Sequence, residues 1–403
     1  MESLSAVVLA AGEGKRLRPL TRNRPKPMLP AATRPIIERV FDELIDAGIT
    51  DITVVVGYCR DRVQSHFGPT YRNVALTYVG QDKQLGSGHA LAAAQSAVDG
   101  PLLVVNGDQI VDREIIDDVV RAHESATAPA TLGLLRRETV SGYGGVLLEP
   151  DAGLPADGRI VELVERPRDD RNYRLNAGVY AFEPTIFETI DETIPRAGEH
   201  SLTDAISHLV EEDDAAGPVQ GVESDGLWVD ATYPWDLLRV ASELFDRDVP
   251  DRTTTADDLA SVHETAVVRE PVVVGDNCEI GPGAVVGPYT CLGENVTVGT
   301  NAVIERSVLD SQTRVRPNAT VLECVTGQGV EIGAGTTIGG GPGDVRVGDR
   351  VFEDEDLGAL LADRVSDGGD VTYVPGTIVG TAAEVSAGAT VRGTVPAQTE
   401  VRS

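Results

Sequence analysis

From Val262 onward an aliphatic residue returns at every sixth position: Val262, Val268, Val274, Ile280, Val286, Leu292, Val298 and Ile304. Gly275, Gly281, Gly287, Gly293 and Gly299 each follow one of them. A period of six matches neither the roughly 3.6 of a helix nor the two of an ordinary strand. It fits a parallel β-helix in which six residues make one side and one turn of a prism. The aliphatic residue is expected to point into the prism, and the glycine to accept the corner conformation. The register breaks near Val308, returns at Ile332 and Ile338, and reappears at Val379, Val385 and Val391. The interruption from Asp354 to Val374 is expected to be a loop or an arm at a subunit contact.

The chain before the repeat has another character. Ala6–Leu9, Ile52–Val56 and Leu102–Val105 are short apolar runs of buried-strand type. Between them, Pro35 to Ala47 places Ile36, Ile37, Val40, Phe41, Leu44 and Ile45 on one helical stripe, with Gly48 as a stop. Arg113 to Ser125 reads as a second helix. Strand and helix in alternation predict an α/β domain with a mostly parallel sheet, in which ligands gather at the carboxyl ends of the strands. The polar stretch 246–260 reads as a linker. The expected division is therefore an α/β domain over 1–245 and a β-helix over 261–403.

The chain carries 64 acidic and 34 basic residues, a formal charge of -30. That excludes general affinity for nucleic acid or anionic membrane. Acid spread along the chain, with only three lysines (Lys15, Lys26 and Lys83), suits a halophilic protein whose solubility in high salt needs a charged surface. Cys59, Cys278, Cys291 and Cys324 form no C-x-x-C pair and read as small buried hydrophobes in a reducing compartment. Ala6 to Ala11 is too short for a signal peptide, and no run approaches a membrane span, so a cytoplasmic location is expected.

Two of the three lysines fall in the runs LAAGEGKRLRPLT (Leu9 to Thr21) and RPKPMLP (Arg24 to Pro30). A strand entering a glycine-rich turn with cations is a natural phosphate cradle. It is not the dinucleotide fingerprint, because Leu17 stands where the third glycine should. Nor is it a P-loop, because Arg16 follows Gly14-Lys15 and Leu9 occupies the first glycine position. Arg16 and Lys26 remain as candidate phosphate ligands. Prolines at 25 and 27 hold Lys26 in an extended segment.

These runs resemble the signature of the sugar-1-phosphate nucleotidylyltransferases. The resemblance continues in order through QDKQLGSGHA (Gln81 to Ala90), Asn106-Gly-Asp108, Tyr143-Gly144, Val164-Glu-Arg-Pro167, Leu175-Asn-Ala-Gly-Val-Tyr180 and Trp228-Val-Asp230. A C-terminal hexapeptide repeat also accompanies the two-domain branch of that family. The whole chain is similar to archaeal proteins that join a Rossmann-like transferase domain to a left-handed β-helix, and to bifunctional uridylyltransferase/acetyltransferases.

The resemblance implies transfer of a nucleotidyl group from UTP or dTTP to a hexose 1-phosphate, with glucose 1-phosphate favoured. It implies that Arg16 and Lys26 grip the triphosphate and that Asp108 and Asp230 hold Mg²⁺. Leu9, Ala11, Gly12, Gly14, Gln81, Gly86 and Ser87 would line the nucleotide; Gly144, Glu165, Arg166 and Asn176 would bind the sugar phosphate. A homotrimer is also implied. Taken alone, Asp108 would shape a turn or cap the helix beginning near Arg113. His89 would pack structurally beside the base. Many relatives carry Lys where Arg166 stands, which keeps the charge but alters its geometry.

Acetylating relatives use a β-helix histidine near the position of Gly339–Asp344, whereas this chain has no histidine beyond His263. Acetyl transfer to an amine needs a group that takes a proton near neutral pH, so that activity is expected to be absent. The alternatives are a bifunctional enzyme making UDP-N-acetylglucosamine and a non-catalytic subunit that binds nucleotide sugars.

Overall fold

The computed structural model describes residues 4–126, 128–149, 157–196, 198–211, 217–247 and 260–402. The chain divides into two compact units. The first comprises Met1–Glu13, Arg24–Met28 and Ile36–Val229; the second comprises Gly14–Asn23, Leu29–Pro35 and Asp230–Ser403. Of the expected linker 246–260, residues 248–259 lie outside the described residues.

The first unit is built on a ten-stranded sheet. Strands β1 (Ser5–Ala10), β2 (Asp51–Val56), β3 (Val74–Gly80) and β4 (Leu102–Asn106) run parallel in the order β3-β2-β1-β4. Beyond β4 the sheet is mixed rather than parallel. A short β5 (Gln109–Val111) leads to β6 (Ala130–Leu135), and the antiparallel pair β7 (Gly144–Glu149) and β8 (Gly158–Glu165) follows. Strand β9 (Arg174–Phe182) is inserted antiparallel between β4 and β6, and β10 (Gln220–Ser224) runs parallel to β6. Short β5 also pairs with β11 (Trp228–Asp230), the strand within which the two units divide.

Alternation along β1 explains the two cores. Ala6, Val8 and Ala10 face helices α1 (Ile36–Asp46) and, further along the chain, α3 (Arg113–Glu124). Val7 and Leu9 face α2 (Ser87–Ala93) and α4 (Leu202–Glu211). The helical stripe read from the sequence is buried as expected at Ile36, Ile37, Val40, Phe41 and Leu44. Parallel strands covered on both faces read as near-continuous apolar runs, and β1, β2 and β4 do so, with Thr53 the one polar residue inside β2.

In the second unit the repeat forms a parallel β-helix with three faces of eight, seven and seven strands. Ile280, Val286 and Leu292 each point inward on a different face and stack under Val298, Ile304 and Leu309 in the next coil. The apparent loss of register near Val308 has a simple cause. Val286 reaches Ile304 across three hexapeptides, but Leu292 meets Leu309 one residue early, after a corner at Arg306 shortened by one residue.

Two expectations about the repeat need correction. The glycines that follow the aliphatic residues do not occupy the left-handed corners. Those corners lie two positions further on, at Asn277, Gly283, Tyr289, Asn295 and Asn301. The glycines are required because successive coils approach closely: a Cβ on Gly275 would lie 2.8 Å from the Gly293 carbonyl carbon, and one on Gly299 would lie 2.6 Å from Pro317 N.

The interruption is also earlier and shorter than Asp354–Val374. It is an antiparallel hairpin of Gly343–Val347 with Arg350–Glu355, after which the faces resume at Ala359–Leu361, Ser366–Asp367 and Thr372–Tyr373. The hexapeptide period is intact there but disguised, because the inward positions after Leu361 are Asp367 and Tyr373. Asp367 is satisfied by Gly333 N (2.8 Å), Thr336 Oγ1 (2.7 Å), Gly369 N (3.0 Å) and the Tyr373 hydroxyl (3.3 Å). The hairpin is not a free arm: Phe352 packs on Tyr233 and Trp235 of the same chain.

The third face is apolar on both sides. Cys291, Val308, Val325 and Leu360 point away from the prism interior yet are buried. Helix α5 (Asp236–Asp246) packs on the strands carrying Val308 and Val325, and Tyr289 donates to Asp246 at its end (2.9 Å). No described helix is long and apolar enough to cross a membrane.

Candidate active site

In the first unit, strand order reverses between β1 and β4, because β1 is flanked by β2 on one side and by β4 on the other. Crevices beyond the carboxyl ends of strands at such a reversal are where open α/β sheets bind ligands. Leu9 pairs with Asn106 there, and Gly107 N donates to Leu9 O (2.9 Å). The turn after β1, with Ala11 and Gly12, thus runs beside Asp108. A Cβ on Gly12 would meet nothing within 4 Å, so the space above it is open.

Lys26 enters this crevice from a short turn, Lys26–Met28, and is buried. Its Nζ lies 3.1 Å from Asp108 Oδ2. Asp108 is not the cap of α3; that role belongs to Asp112, which accepts from Ile115 N and Leu227 N. The Asp108 side chain is 38% exposed, which leaves it accessible to a ligand.

A second cluster surrounds Gln81, which is buried at the end of β3. Its Nε2 lies 3.0 Å from Gly86 O and 3.0 Å from His89 Nδ1. Gln84 Nε2 donates to Ala11 O (3.0 Å). Gly86 has φ +102, and a Cβ there would crowd His200, so only glycine fits. Ser87 Oγ accepts from Leu202 N (3.0 Å), tying the start of α2 to α4.

A third cluster gathers Gly144, Glu165 and Asn176. Gly144 is the register partner of Glu165, and a Cβ on Gly144 would lie 3.4 Å from Asn176 Cβ. The pairing of β9 with β6 slips between Asn176 and Tyr180, a bulge that re-aims Asn176 away from the regular pleat. Thr203, on α4, donates to Glu165 Oε1 (2.9 Å); no sequence signal had marked it. Arg166 adopts a left-handed backbone (φ 53), and its N–H donates to Tyr143 O (2.9 Å).

Gly14, Arg16 and Asp230 belong to the second unit. Gly14 opens the turn Lys15–Leu17 with φ 66, and its carbonyl accepts from Leu17 N and Thr21 Oγ1. Arg16 is exposed, with Cζ 5.9 Å from the centroid of the Tyr233 ring. Asp230 is buried; its Oδ2 accepts from Thr232 Oγ1 (2.6 Å) and its backbone carbonyl from Arg239 Nη2 (2.9 Å). Thr232 and Tyr233 were not legible as site residues from the sequence.

Among the described residues no group of three or more His, Cys, Asp or Glu side chains gathers as a metal cluster. A cation held by Asp108 or Asp230 would take its remaining ligands from substrate oxygens and water. That donor set suits Mg²⁺, which binds through one or two carboxylates plus phosphates.

Residues 5–247 match the nucleotidyl transferase family model, and residues 268–399 match the GMPPB C-terminal domain. Over 242 residues the chain is 34% identical to the bifunctional protein GlmU of Methanococcus vannielii, covering 58% of this chain and 53% of that protein. The chain thus spans about half the length of the GlmU relatives it matches. It is also 34% identical to the UTP–glucose-1-phosphate uridylyltransferase AglF of Haloferax volcanii, covering 58% of this chain and 93% of AglF. Among solved structures, a putative glucose-1-phosphate thymidylyltransferase from Bacillus anthracis aligns with a TM-score of 0.54 at 26% identity, over 62% of this chain and 97% of that one.

Proposed function

Because the chain belongs to the nucleotidyl transferase family, we propose that it transfers a nucleotidyl group from UTP or dTTP to a hexose 1-phosphate, glucose 1-phosphate being favoured. The observation that carries this reading is the pairing of buried Lys26 with partly exposed Asp108 at the reversal of strand order, beside the open space over Gly12.

In this reading an oxygen of the sugar phosphate attacks the α-phosphorus of the triphosphate, and the bond to the leaving pyrophosphate breaks. Reactants and products are all highly anionic, so catalysis is positioning and charge neutralisation. Lys26 meets phosphate oxygens as a compact point charge, and Arg16 adds a planar fork of donors. Gln81, Gly86 and Ser87 hold the base end of the nucleotide over Leu9, Ala11, Gly12 and Gly14. Glu165 and Asn176 accept and donate to sugar hydroxyls, Gly144 lets the ring approach the backbone, and Arg166 draws the sugar phosphate. Asp108 and Asp230 would hold Mg²⁺, which supplies further neutralisation of phosphate charge when bound.

The β-helix serves assembly, most simply as a trimer through its long flat faces, and not acetyl transfer; it winds left-handed, as in the family that the sequence resembles. The surface charge suits a cytoplasm of high salt.

Pyrophosphate release tests the reading. The protein is incubated with Mg²⁺, each nucleoside triphosphate including GTP, and a panel of sugar 1-phosphates, at low and multimolar KCl. Release with UTP or dTTP and a hexose 1-phosphate is expected; silence with every pair would remove the enzyme reading. Consumption of acetyl-CoA with glucosamine 1-phosphate would reinstate the bifunctional alternative.

A further inference from the structure

The hairpin Gly343–Glu355 adds nothing to the three faces of the prism. It does carry Phe352 into an aromatic cluster. Tyr233 and Trp235 stack with ring centroids 4.9 Å apart and planes 5° from parallel. Phe352 lies across both, 4.6 Å from Tyr233 and 5.1 Å from Trp235, at tilts of 55° and 59°. Offset and tilted contacts of this kind satisfy the opposed charge of ring faces and edges. On the hairpin itself, Arg350 Cζ lies 5.3 Å from the Phe352 centroid.

The other partner of Tyr233 is Arg16, whose guanidinium stands over the ring at 5.9 Å. An exposed arginine on a short turn otherwise samples many rotamers and loses side-chain entropy when it is fixed. A ring face narrows that sampling before any ligand arrives. The platform is itself anchored: Thr232 N and Tyr233 N donate to Asp236 Oδ2 at 2.8 and 2.7 Å, and Arg239 holds the Asp230 carbonyl. The segment Asp230–Trp235 is therefore fixed at its helix end by hydrogen bonds and on its ring side by Phe352.

We propose that Phe352 is a positioning residue for nucleotide binding: it clamps Tyr233, and Tyr233 presents Arg16 to the triphosphate. The inference rests on the role given above to Arg16. It makes the hairpin of the β-helix part of what prepares Arg16 for its ligand.

The test is equilibrium binding of Mg-UTP and Mg-dTTP to the full chain by calorimetry, using whichever binds more tightly. Phe352→Ala is expected to weaken binding about tenfold, a coupling of ordinary size for packed neighbours. Phe352→Tyr, which keeps the ring, restores it. In an Arg16→Ala background Phe352→Ala adds little, because the clamp then has nothing to present. Phe352→Leu keeps volume without a ring and repeats the comparison in both backgrounds if the alanine variant unfolds. Unchanged affinity in the Phe352 variants, or an equal loss with and without Arg16, overturns the proposal. Binding is read without turnover, so a chain that binds nucleotide but releases no pyrophosphate would defeat the proposed reaction and leave this comparison intact. A wild-type chain that binds neither nucleotide defeats both.

Discussion

Lys26 Nζ lies 3.1 Å from Asp108 Oδ2, a charge pair at the carboxyl edge of the parallel strands. The pair holds each group in place before substrate arrives. Asp108→Asn keeps the shape of the side chain and removes its charge. It is expected to cut pyrophosphate release by about 100-fold or more while leaving the unfolding midpoint near that of the wild type. Lys26→Met is expected to act similarly, and Lys26→Arg to rescue poorly, because a guanidinium fork does not replace a compact ammonium. Retained activity in Asp108→Asn would refute its proposed role.

The amide of Gln81 has one possible orientation. Gly86 O can only accept, so the atom 3.0 Å from it must be the NH₂ group. The same group donates to His89 Nδ1, which places the His89 proton on Nε2 and leaves Gln81 Oε1 as the acceptor end of the amide. An acceptor there favours a base with a ring N–H, as in uracil and thymine, over cytosine. His89→Leu is expected to narrow the UTP-to-CTP preference in kcat/KM, and His89→Asn to restore part of it. An unaltered ratio in His89→Leu would show that the histidine does not orient the amide.

Asp367 occupies an inward position of the β-helix and collects four donors. Asp367→Val restores the aliphatic pattern but strands Gly333 N, Gly369 N and the Thr336 and Tyr373 hydroxyls. Each buried donor left without an acceptor costs about 1–3 kcal/mol. A lowered unfolding midpoint in a thermal scan is expected, against the naive gain from added hydrophobicity. A stabilised variant would mean that these groups find other partners.

His123 is buried on α3, with Nδ1 2.9 Å from Thr131 Oγ1. Burial holds its pKa below the usual 6.5, and the nearby Glu183 only partly opposes that. The unfolded chain therefore takes up a proton that the folded one refuses. This contribution to stability is whole above about pH 6.5 and is lost as pH falls through and below that value. The stability advantage of wild type over His123→Leu in urea should shrink between about pH 7.5 and 5.5. A constant difference would assign the acid sensitivity to other groups.

Much of this architecture was legible because each element used its plainest residues. Near-continuous apolar runs announced β1, β2 and β4, and the hexapeptide period announced the prism. The period vanished wherever the inward residue was not aliphatic, as at Asp367 and Tyr373, or where a corner lost one residue, as at Arg306. Asn277, Asn295 and Asn301 carried the signal of the left-handed corners, since asparagine tolerates that region, but the neighbouring glycines carry the same signal at the wrong positions. The antiparallel insertion of β9 left no trace in local pattern, because strand direction is decided by long-range pairing. At the site, Lys26 and Asp108 stood in recognisable runs. Tyr233 and Phe352 did not, since residues so distant in sequence meet only through the fold.

The outward apolar row of Cys291, Val308, Val325 and Leu360 bears on how this protein can be taken apart. A fragment cut at the polar stretch before residue 260 would leave α5 behind and bare a greasy stripe along one side of the prism. Such a fragment is a poor module for grafting onto other proteins: it would stick to its own kind before it met a partner. The useful cut for an engineer lies ahead of Asp230, where the helix travels with the surface it shields.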